Sequence, residues 1–133
     1  MSIVVLYLAT AVTFLVLDSV MLGRVIGPLF RRHLGEQLLA EPRMAVAAVF
    51  YLFYVAGLVW LVSLPALEAG QPGQALLDGA ILGAVAYGTY EFTSYAVMRD
   101  WHPRMVATDL AWGTALTAVS AWVGVVVTGL VFG

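Results

Sequence analysis

The chain reads as an all-α integral membrane protein, a four-transmembrane-helix bundle with a short interfacial helix between helices 1 and 2. Three observations predict this class. Hydrophobic residues make up 62% of the 133 and charged residues only 11%, where a soluble domain carries about 25% charged residues. That leaves too little polar surface to cover a globule in water, so lipid must solvate most of it. Four apolar stretches are each long enough to span, since roughly 20 helical residues cross the hydrocarbon core. Finally, the arginines are segregated between alternate connections.

The spans run about 3–22, 44–64, 75–97 and 105–132, within a single membrane domain, 1–133. The first lacks a basic leader, carries Asp18 inside its apolar run and shows no cleavage site, so it reads as a retained helix rather than a signal peptide. Glu41-Pro42-Arg43 precedes the second and Pro65 is expected to end it. Gln71-Pro72-Gly73 marks the turn before the third, and His102-Pro103 breaks the chain before the fourth. The fourth is longer than a bilayer needs and is expected to tilt or to extend beyond it.

Orientation follows from arginine, because the chain contains no lysine. Arg24, Arg31, Arg32 and Arg43 lie in the first connection, Arg99 and Arg104 in the third, and none elsewhere. Random placement on two sides would do this about 3 times in 100, so the positive-inside rule puts both connections in the cytoplasm. Both termini and residues 65–74 then face outward. In the first connection Phe30, Leu34 and Leu38 fall four apart beside Arg31, Arg32 and Glu36. That pattern suits a helix at the cytoplasmic interface with its arginines near anionic lipid headgroups; a solvated basic loop is the alternative.

Three carboxylates fall inside spans: Asp18, Glu91 and Asp109. An acid at a helix centre costs about 2.5–3.5 kcal/mol on insertion scales, so each is expected to face the bundle interior. In the derived orientation all three occupy the cytoplasmic half. Tyr87 and Glu91 are four apart and share a face, flanked by Tyr90, Thr93 and Ser94. Asp109 and Trp112 are three apart, as are Tyr51 and Tyr54. Asp18, Tyr51, Tyr54, Tyr87, Tyr90, Glu91, Asp109 and Trp112 are therefore the candidate ligand-binding layer. Arg24, Arg99 or Arg104 could reach in to neutralise an acid. Structural roles compete: Asp109 as a cap for the fourth helix, Asp18 as an orientation lock with Arg24 or Arg99, the aromatics as an interfacial belt. Gly79 and Gly83, and Gly113, Thr117 and Ala121, repeat every four residues and let helices approach closely, within the bundle or across a dimer.

The segments 14–23, 50–57, 83–93 and 109–114 resemble an uncharacterised bacterial family of predicted membrane proteins, domain-of-unknown-function family two-one-seven-seven. Two departures stand out. Glu91-Phe92-Thr93-Ser94 replaces the family's usual Asp-Leu-Thr-Asn, and Met21 its usual Trp. The acid survives but reaches one methylene further, and an amide is lost. The resemblance implies a four-helix bacterial inner-membrane protein with this polar layer, and no activity.

Three functions fit. The first is a pocket that binds or transports a lipid-like amphiphile or a cation, Glu91 trading a proton for it. The second is a lipid-modifying enzyme or its partner; no nucleophile motif, phosphate loop or histidine cluster supports it. The third is a structural or assembly subunit whose acids hold the helices together. With no cysteine, thiolate chemistry is excluded. No cofactor or metal site is read from the two separate histidines, and the split arginines make no nucleic-acid stripe. Membrane lipids are the expected partners.

Overall fold

The computed structural model describes residues 1–133, all-helical and without strands. Four long helices follow in order: α1 (Ser2–Gln37), α2 (Met44–Ala69), α3 (Pro72–Val97) and α4 (Pro103–Phe132). Of these, α1, α2 and α4 are long and apolar enough to cross a membrane. At 26 residues α3 is also long enough, about 39 Å at 1.5 Å per residue. What lowers its apolarity is Asp78, Tyr87, Tyr90 and Glu91, three of which belong to the layer described below.

Two helices run through prolines, at Pro28 and at Pro65, the second of which was expected to end its span. In α1 the helix continues past residue 22 because a wide π turn at Leu22–Ile26 precedes Pro28. In α2 a second π turn, Val59–Ser63, precedes Pro65, and the helix ends only at Ala69, where Gly70 takes a left-handed φ of 67°. Proline lacks an N–H and clashes with the carbonyl four residues back. A π turn widens the spiral locally and removes that conflict. Pro65 therefore does not end the second span.

Buried surface on α4 runs from Met105 to Thr128, because it packs between α1 and α3. Glycine makes this possible. A methyl at Gly79 would lie 2.9 Å from the Cα of Ala118, and one at Gly83 would lie 2.6 Å from the Gly113 carbonyl oxygen. At Gly124 it would meet the Thr10 hydroxyl. The small-residue faces, open in sequence between bundle packing and a dimer, are thus used within the chain. Phe14, Leu58 and Leu116 complete the core, with α2 joining through its second half. Outside, Val46, Val49, Phe53, Trp60, Leu61 and Val85 are all more than 60% exposed. An apolar exterior of this extent is a surface made for lipid rather than water.

Candidate functional site

The three acids are among the most enclosed side chains of the protein: Glu91 is 0% exposed, Asp18 4% and Asp109 7%. They come from α3, α1 and α4, and form two adjoining centres. In the first, Trp112 Nε1 of α4 donates to Asp18 Oδ1 at 3.2 Å. Tyr51 of α2 also lies beside that carboxyl, with Asp109 close by. Tyr87 lies over Gly113, so close that a methyl there would strike its ring. Its edge meets Tyr54 at 6.3 Å. Tyr54 shares a 3.0 Å hydrogen bond with the Thr117 hydroxyl, and Phe14 is wedged against Tyr51 and Tyr54 at 5.7 and 5.4 Å.

In the second centre, Glu91 Oε1 accepts from Trp101 Nε1 at 2.9 Å. Glu91 Oε2 is enclosed with no hydrogen-bond partner, and its neighbour is the carboxyl of Asp109. Met105, at 0% exposure, packs with Trp101 beside this centre. Tyr90 differs from the other phenols: it is half-exposed and contacts Trp101 edge-on at 5.6 Å. All eight candidate residues therefore fall in one band, with Tyr90 at its rim.

Several single-residue expectations are overturned. Asp109 is not a cap, because α4 starts six residues earlier and its N-cap is His102, whose Nδ1 accepts from the Arg104 N–H at 3.0 Å. No arginine neutralises an acid or locks Asp18. All six are exposed, and the groups acting on Asp18, Glu91 and Asp109 are tryptophan, tyrosine and carboxyl. Arginine stays in water because its desolvation would cost more than a single buried pair returns.

Trp101 is the residue that sequence reasoning missed. It lies in the short connection between α3 and α4, yet it is only 7% exposed and folds back onto Glu91. An apolar cluster of Leu34, Met105 and Val106 holds it, with Phe30 edge-on at 5.3 Å. Its lone position in an otherwise polar loop, Arg99-Asp100-Trp101-His102, was the available signal. A large indole is not left in water where burial can be had.

Chemically the layer offers acceptors without fixed positive charge. Glu91 and Asp109 adjoin with no basic side chain beside them, and two like charges so close in a low dielectric disfavour each other. No cluster of three or more histidine, cysteine, aspartate or glutamate ligands is present.

Fold and composition together define a helical membrane protein with an acidic, aromatic layer buried in it. The chain belongs to the DUF2177 family, described as predicted membrane protein, whose profile matches residues 3–126. No curated protein and no solved structure matches it.

Proposed function

We propose that the protein is a small four-span inner-membrane binding or transport protein, exchanging a proton for a cation or a cationic, lipid-like amphiphile at Glu91 and Asp109. The observation that carries this reading is the orphaned Glu91 Oε2, sealed beside a second carboxyl with no basic partner. A layer that served only to join helices would satisfy its polar atoms, since each unpaired buried group costs about 1–3 kcal/mol. Here the only group that meets Oε2 is another carboxyl, so a proton or cation between the two is what satisfies it, which suits an exchange site.

In this reading α3 is the fourth span, its polarity accounted for by the layer it lines. The arginine-bearing end faces the bacterial cytoplasm and both termini face outward. Gly27–Leu34 rests at the cytoplasmic interface with its arginines toward anionic lipids, the expected partners; any dimer uses lipid-facing surfaces rather than the glycine faces. Trp101 is the plug between the layer and that side.

A purely structural role has one observation in its favour. The layer is close-packed, and two surface grooves are apolar: one between α1 and α4 at Val5, Leu8 and Val127, the other at Phe92, Tyr95 and Leu110. Native mass spectrometry with lipid and metal analysis separates the readings. A ligand retained by the wild type and absent from a folded Glu91→Gln variant supports binding and gives its chemical class. Two equally empty, equally stable proteins refute it and leave the acids as helix glue.

A further inference from the structure

The end of α1 holds the Trp101 plug in place through a set of contacts that the binding layer does not require. Gln37 Nε2 donates to Asp100 Oδ2 at 2.6 Å. Phe30 and Leu34 pack on Trp101. Between them His33 lies flat on His102, ring centroids 4.2 Å apart and planes within 18°. His33 Nε2 is enclosed without a hydrogen-bond partner, and His102 Nδ1 is occupied as the acceptor that caps α4. His33 is therefore arranged as a neutral imidazole, with no acceptor waiting for an extra proton.

The surroundings press the same way. The groups facing His33 are His102, Arg32 and Arg104, all cationic or able to become so, and no carboxylate is among them. Across the seam, Asp100 is taken by Gln37.

We propose that His33, stacked on His102, is a pH-sensitive latch that holds Trp101 over Glu91 while the His33 ring is neutral and lets it go when that ring is protonated. The latch gives the binding layer a regulated opening, and that role rests on the binding reading; the latch itself does not. Partial burial of the ring first, then His102, Arg32 and Arg104, push the pKa of His33 below its ordinary 6.5. A group whose pKa is depressed in the closed state stabilises that state fully above the ordinary value, and the stabilisation is lost as pH falls through the depressed one. The plug is thus closed at neutral pH and loosens on acidification below about 6.5.

Hydrogen exchange on ligand-free protein in lipid nanodiscs tests this, using protection factors that divide out the intrinsic pH dependence. Between pH 8 and pH 5, protection across residues 99–106 should fall by roughly tenfold, near the lower end of usual conformational couplings. His33→Phe keeps a ring for His102 to lie on and cannot take a proton, so that variant should hold its protection at both pH values. A wild type whose protection does not change with pH, or a His33→Phe that loses it equally, would overturn the proposal. If His33→Phe does not fold, His33→Tyr, which keeps the ring and does not titrate in this range, serves for the same comparison. Since no ligand is present, failure here leaves the Glu91→Gln binding test untouched, and failure there leaves the latch standing.

Discussion

Replacing Gly83 by alanine adds one methyl at the tightest backbone contact between α3 and α4. That methyl would sit 2.6 Å from the Gly113 carbonyl oxygen, 2.8 Å from Thr117 Cβ and 2.9 Å from its Oγ1. A carbonyl in mid-helix cannot rotate aside, so the helices must separate by several tenths of an ångström or more. Separation also strains the Tyr54–Thr117 hydrogen bond and the seat of Tyr87 on Gly113. Overpacking of this kind costs about 1–3 kcal/mol. For a chain of this length each kcal/mol moves Tm by about 4 °C, so a fall of about 4–12 °C is expected. Thermal unfolding in detergent, followed by circular dichroism, reads it directly. Gly57→Ala is the matched control: nothing lies within 4 Å of its new methyl, so stability should hold or rise slightly through helix propensity. A Gly83→Ala protein as stable as wild type would refute the close approach of α3 to α4, and with it the geometry of the layer.

Trp101→Phe removes the one donor to Glu91 and leaves both carboxyl oxygens unpartnered. The expected loss is about 1–3 kcal/mol, read as a lower Tm, and it should shrink in a Glu91→Gln background if the indole acts through that carboxyl. Thr117→Val keeps shape but strands the Tyr54 hydroxyl. Interhelical hydrogen bonds in membranes average about 0.6 kcal/mol, so Tm should drop by only a few degrees, less than for Gly83→Ala; a larger drop would mean that Thr117 does more than bond Tyr54.

The sequence by itself determined what depends on neighbours within a turn or two. Apolar runs of bilayer length, punctuation at Pro42, Pro72 and Pro103, and Tyr87 one turn from Glu91 are local patterns, and the helices and the polar face follow from them. The cost of burying an acid in lipid then led Asp18, Glu91 and Asp109 to be read as inward-facing. Tertiary structure decided which partner each acid takes. Trp112 and Asp18 are 94 residues apart, and Tyr54 and Thr117 are 63 apart. Such pairings are chosen by how closely helices can approach, and here glycine backbones set that distance. The choice of tryptophan over arginine as the acids' partner was illegible for the same reason: spacing shows which charges can reach, while desolvation decides which remain in water. The same holds for Pro65, read as a stop until the π turn Val59–Ser63 just before it carried the helix through, and for His33 and His102. They are 69 positions apart in the chain and become one stack only because the end of α1 folds against the start of α4.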